Sequence, residues 1–145
     1  MVKVLSIAAV ALVLYLSAAF AVQAKGLCEG DAATLRCLQD NFRELYQKQT
    51  KRFFDILRSA EGEALSCRSV AATTDFLEVA KVIEGNAEVG EYFSEALEMK
   101  LIPSNPQCFL DALLAADEKS RKRIINDLRT PTFDEKNKVR EILSK

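Results

Sequence analysis

Leu35-Arg36-Cys37-Leu38-Gln39-Asp40-Asn41-Phe42-Arg43-Glu44-Leu45-Tyr46-Gln47-Lys48-Gln49-Thr50-Lys51-Arg52-Phe53-Phe54-Asp55-Ile56-Leu57-Arg58-Ser59-Ala60 is the stretch that decides the fold class. Leu35, Leu38, Phe42, Leu45, Phe53, Ile56 and Ala60 recur at helical spacing, with polar Gln49 in the middle of the stripe. Glu44 and Lys48 stand one turn apart on the other face. Asp31 is an N-cap type and Gly62 a terminator, so the pattern predicts one helix over about 32–59, with Gln49-Thr50 as the place where it would bend.

The same punctuation sets out the rest of the chain. Asp75 with Glu78 three residues on is a capping-box arrangement, followed by Phe76, Leu77, Val79, Ala80 and Ile83 up to Gly85. Asn86 or Gly90 opens a third helix on Val89, Tyr92, Phe93, Ala96 and Leu97, which Pro103 should close. Asn105-Pro106 starts a fourth, and Phe109, Leu110, Ala112, Leu113, Leu114 and Ala115 leave it almost no polar face, as suits a helix enclosed by neighbours. A fifth covers about 118–128, and Thr132 with Glu135 caps a sixth carrying Phe133, Val139, Ile142 and Leu143. The expected fold is all-α, a compact bundle of about five to six helices in one domain over 25–145.

Residues 1–24 read as a cleaved signal peptide. Met1-Val2-Lys3 is a positive start, residues 4–16 are apolar apart from Ser6, and the run turns small toward Val22-Gln23-Ala24. An uncleaved anchor is the competing reading, disfavoured by that small-residue end, so stable membrane anchoring is not expected. The expected location is secreted and extracellular.

Four cysteines follow the leader, Cys28, Cys37, Cys67 and Cys108. In an exported protein they read as two disulfides. A continuous first helix would hold Cys37 and Cys67 about 30 Å apart, which favours Cys28–Cys37 with Cys67–Cys108. A reversal at Gln49-Thr50 would open the alternative, Cys37 with Cys67.

The sequence contains no histidine. That removes Ser-His-Asp and Cys-His nucleophilic pairs and the ordinary His-bearing zinc sites. Paired carboxylates stay formally open, yet Glu91, Glu95 and Glu98 fall on the solvent side of the third helix by its stripe. There is no G-x-G-x-x-G, P-loop or EF-hand loop. No catalytic, cofactor-binding or metal-ligating residue is assigned and no enzyme activity is expected.

Charge is spread unevenly: residues 61–99 hold nine acidic against two basic, and residues 119–145 nine basic against four acidic. These helices either face each other or simply stay solvated, and a net charge of −1 gives no sign of nucleic-acid binding. Lys119-Ser120-Arg121-Lys122-Arg123 resembles a dibasic processing site, but it continues at helical spacing into Ile124, Ile125 and Leu128 and reads as helix surface.

Two binding readings follow. One is a carrier of an apolar small molecule or lipid inside the bundle, lined by Phe93, Phe109 and Leu113. The other is a protein-interaction or immune-effector bundle that meets an extracellular protein through Tyr46 and Phe54, which fall off the stripe, or through the basic C-terminal face. The secreted form is expected to begin at Lys25. N-terminal sequencing of the exported protein checks this, and a retained Met1 contradicts it.

Overall fold

Gln49 breaks the helix that periodicity draws across it. In the computed structural model, which describes residues 26–133, 139 and 141, three helices occupy this stretch: α1 (Leu35–Asp40), α2 (Phe42–Lys48) and α3 (Thr50–Ser66). Asn41 interrupts first, its side-chain amide donating to the Cys37 carbonyl at 3.0 Å, a local bond that competes with helix continuation. Gln49 then leaves the helical region at φ −140° and ψ 50°. In a continuous helix Phe42 and Phe53 would lie about 16 Å apart along the axis. Their ring centroids are 5.1 Å apart, so α2 folds back onto α3. Gly62 does not end α3, which runs on to Ser66 and closes at Cys67 in the left-handed region.

The disulfides are Cys28–Cys37 and Cys67–Cys108, with Cα separations of 5.8 and 6.4 Å. This is the pairing favoured from the sequence, although the continuous helix invoked for it is absent. The reversal brings Phe42 and Tyr46 to Phe53, yet Cys37 pairs with Cys28 and Cys67 with Cys108.

α4 (Val70–Leu77) begins at Ser69, whose hydroxyl accepts from the Ala72 N–H at 3.1 Å, and continues as a 3₁₀ turn over Glu78–Lys81. The start expected at Asp75 is therefore wrong. With Ser69 already satisfying the first turn, Asp75 is an exposed mid-helix residue and Glu78 pairs forward with Lys81 at 3.0 Å. Fully buried Thr73 joins three elements: its hydroxyl donates to the Ala64 carbonyl of α3 at 3.3 Å and lies 3.4 Å from Cys108 Sγ.

α5 (Ala87–Glu95) starts where Asn86 accepts from the Val89 N–H at 3.0 Å. It passes into π-helical Ala96–Leu101 and then Ile102–Ser104, so Pro103 lies within the helical run rather than beyond it. The wider winding carries Glu98 round toward the side of Phe93. Expected on the solvent face, Glu98 is only 4% exposed and accepts from the Phe133 N–H at 2.5 Å.

α6 (Pro106–Ala115) lacks a side-chain cap because Asn105 instead donates to the Leu65 carbonyl of α3 at 2.8 Å. It buries Phe109, Ala112 and Leu113 against α4, but Leu114 is 72% exposed, so the helix is covered on one side rather than enclosed. α7 (Glu118–Leu128) is capped by Asp117, which accepts from the Ser120 N–H at 3.0 Å and the Ser120 hydroxyl at 2.9 Å. That N–H holds the Asp117 carboxyl below its usual range. Apart from the three-residue turn Ile102–Ser104, seven α-helices thus stand among the described residues: the first expected helix divides into three, and the second to fifth each appear. The leader 1–24 and most of the helix expected after Thr132 lie outside the described residues, though Val139 is helical and fully buried.

Phe53 is the fully buried hub of the fold-back, with Phe42, Tyr46 and Phe54 edge-on to it at centroid distances of 5.1, 5.4 and 5.3 Å. Phe53→Ala is expected to cost about 3–5 kcal/mol, read as a lower denaturant midpoint.

Candidate functional site

α1 and α4 lie on either side of α3 and leave a groove of about 790 Å³ between them. Ala33 and Leu35 line it beside α1, Ile56, Ser59 and Ala60 come from α3, and Ala72 and Val82 close the α4 side. Small Ala33, Ser59, Ala60 and Ala72 leave the space open, and longer polar side chains such as Arg36, Gln39 and Glu63 share its lining. A second lobe of about 440 Å³ is lined by Ser59, Gly62, Glu63, Ser66, Arg68, Ser69 and Ala72. Ser59, Glu63 and Ala72 line both lobes, which therefore adjoin along α3 and are treated together as a channel. From Ile56 to Ser66 it follows about 15 Å of helix.

Charged groups edge the channel. Lys81 is fixed between Glu78 at 3.0 Å and Asp117 at 3.6 Å, and the bond to Glu78 raises its pKa. Asp40, Glu63 and Asp75 are exposed and make no ion pair with any described residue, nor do Arg36 and Arg68. Glu63 sits where the lobes meet, while Arg36 belongs to the larger lobe and Arg68 to the smaller. At Gly62 an added Cβ would meet nothing within 4 Å.

The residues singled out from the sequence fall elsewhere. Phe93, Phe109 and Leu113 are buried in the hydrophobic core and line neither lobe. Phe93 rests on Phe76 at a centroid distance of 5.4 Å. Tyr46 and Phe54 are half-buried, with ring centroids 6.4 Å apart, and Phe54 also meets Tyr92 at 5.8 Å. The Tyr46 hydroxyl donates to Glu88, a bond that raises the phenol pKa. The four cysteines are the two bridges already described, and none is free.

The basic run 119–123 is helical and held on several sides. Arg121 donates to the Leu114 and Ala116 carbonyls at 3.1 and 3.4 Å, Lys122 pairs with Glu118 at 2.5 Å, and Ser120 is buried. Among the described residues, its ion pairs stay within α7 and do not reach the acidic 61–99 segment. No group of three acidic or cysteine side chains converges to hold a metal ion among the described residues, and no helix there is long and apolar enough to cross a membrane.

The sequence reading missed two features. The channel's signal is the small side chains Ser59, Ala60 and Gly62 on one helix opposite Ala72 on another, with Gly62 mistaken for a stop. The second is buried Glu61, an acid one turn beyond Leu57 on the apolar stripe. It accepts from the Tyr92 hydroxyl and from Lys100 at 2.8 Å, and Lys100 also reaches Glu95 at 3.7 Å.

Against known proteins, the chain matches no family model, no curated protein and no solved structure.

The Glu61 cluster generates a pH dependence. The bond to Glu61 raises the Lys100 pKa, and burial, followed by the same carboxylate, raises that of Tyr92. Raised values mean the stabilisation is complete below the ordinary values of 10.0 for Tyr and 10.5 for Lys and is lost as pH climbs through the higher folded ones. Thermal melting followed from about pH 8 to 11 should show stability falling at the alkaline end. Glu61→Gln is expected to lower stability at neutral pH and to flatten that alkaline fall.

Proposed function

We propose that this chain is a secreted, non-catalytic binding protein that receives an extracellular protein partner in the channel along α3. The observation that carries this reading is the position of the concavity. It opens at the surface between α1, α3 and α4, whereas the residues that would line an internal carrier site are packed in the core. The N-terminal leader and the two disulfides support export to an oxidising compartment. The absence of histidine supports binding without catalysis.

Gly62 provides the test, because its Cβ direction is open and a larger side chain there fills the smaller lobe without striking the fold. Wild type and Gly62→Trp are immobilised and exposed to the fluid into which the protein is secreted. A partner retained by wild type and lost on Gly62→Trp, with an unchanged denaturation midpoint, is the expected result. The internal-carrier reading has its own check in Leu113→Ala. The structure predicts a stability loss of about 2–5 kcal/mol and no saturable binding of a fluorescent apolar probe by wild type. Saturable probe binding that shifts in Leu113→Ala would return the carrier reading.

A further inference from the structure

We propose that the channel recognises an extended segment of its partner that places a lysine or arginine over Glu63, where the two lobes join. This rests on the channel being the binding surface, and adds the chemistry of what enters it. Length favours a short extended segment: about 15 Å of channel accommodates roughly five residues at about 3.3 Å each.

Charge selects the centre of that segment. Glu63 lines both lobes, and Asp75 stands one turn beyond Ala72, another residue common to both. Both carboxylates are exposed and unpaired among the described residues, while the nearest lysine of the lining, Lys81, is already committed to Glu78 and Asp117. The unpaired cations of the lining, Arg36 and Arg68, belong to separate lobes on either side of that junction. Unpaired Asp40 stands one turn from Arg36 in the larger lobe, so charge at that end is balanced, and the acidic junction of Glu63 and Asp75 complements a segment that is cationic at its centre. The small floor of Ser59, Ala60 and Ala72 lets an extended backbone lie close to α3 while one long side chain reaches the carboxylates. Desolvation is partial here, so the interaction acts on selectivity more than on total affinity.

The probes are three fluorescent peptides of about seven residues in extended form, identical except for lysine, norleucine or glutamate at the centre. Binding is read by anisotropy at low and high salt. The lysine peptide is expected to bind wild type most tightly and to lose its advantage as salt rises. Glu63→Gln and Asp75→Asn should each weaken it by about two- to five-fold, the range of an exposed ion pair. Glu63→Lys should reverse the order and favour the glutamate peptide, which a merely structural role for Glu63 would not do. Gly62→Trp should abolish binding of all three, with Ser66→Trp as the second blocking variant and denaturation midpoints as the folding control.

Equal binding of the three peptides, all blocked by Gly62→Trp, overturns the charge selection and leaves the channel as a binding surface. Failure of the lysine peptide to bind at all also overturns the inference, and the partner lost from Gly62→Trp in secreted fluid then still identifies the channel. Peptide binding that neither blocking variant disturbs overturns both. A wild-type dimer in sedimentation that Gly62→Trp converts to monomer would make a second copy of this chain the occupant and sink the peptide proposal.

Discussion

α1 and α2 together carry few apolar side chains, and neither is long enough to persist as an isolated helix in water. Their place is set by the reversal at Gln49 and by Phe53, which takes Phe42 and Tyr46 edge-on when the chain comes back. Leu38 and Leu45 are buried in the same step. Because α1 is thereby held beside α3, a wall exists opposite α4, and the channel is the space between them. A straight helix over the same residues would have carried α1 away from α3 and left only an open helix face. The binding surface is thus a by-product of how the N-terminal third of the chain folds back.

The other end of α3 is organised by polar groups rather than rings. Thr73 bonds the Ala64 carbonyl, Asn105 bonds that of Leu65, and the Cys67–Cys108 bridge ties the loop after α3 to the first turn of α6. Asn105 thus supplies a partner to a carbonyl in the last turn of α3, and Thr73 adds a second donor to the Ala64 carbonyl, which already accepts from the Cys67 N–H at 3.1 Å. Cys28–Cys37 secures the N-terminal tail to α1. No bridge falls between residues 38 and 66, so the rings of Phe42, Tyr46, Phe53 and Phe54 hold by packing and by the Tyr46–Glu88 hydrogen bond.

Helical class, the bounds of α7 and the Asn86 cap were legible because each depends on a local pattern, whereas the favoured disulfide partners rested on a helix length the fold does not have. The division of the first helix was not legible, since Gln49 is a good helix former by propensity and Asn41 in a long apolar-periodic stretch is a weak signal until its amide bonds back to the Cys37 carbonyl. Asp75 and Glu78 matched a cap that Ser69 had already taken, so a correct motif lay on the wrong turn. Leu114 shows the opposite error: an almost wholly apolar segment implied enclosure, yet no element covers one side of α6 among the described residues. The channel was least visible of all, because small residues on two helices say nothing about each other until the helices are placed.

The π-helical stretch Ala96–Leu101 has a consequence for length variation in this chain. Each i→i+5 bond encloses one residue more than its α counterpart, so a π segment is how a helix absorbs an inserted residue while both of its ends stay put. Deleting one residue between positions 96 and 101 would restore regular winding and keep Phe93 and Ile102 near their neighbours. It would also swing the carboxylate now at Glu98 toward water, and the Phe133 N–H would lose its acceptor. A shorter chain of this kind would keep its bundle and lose the bond that holds Phe133 to the π-helical stretch.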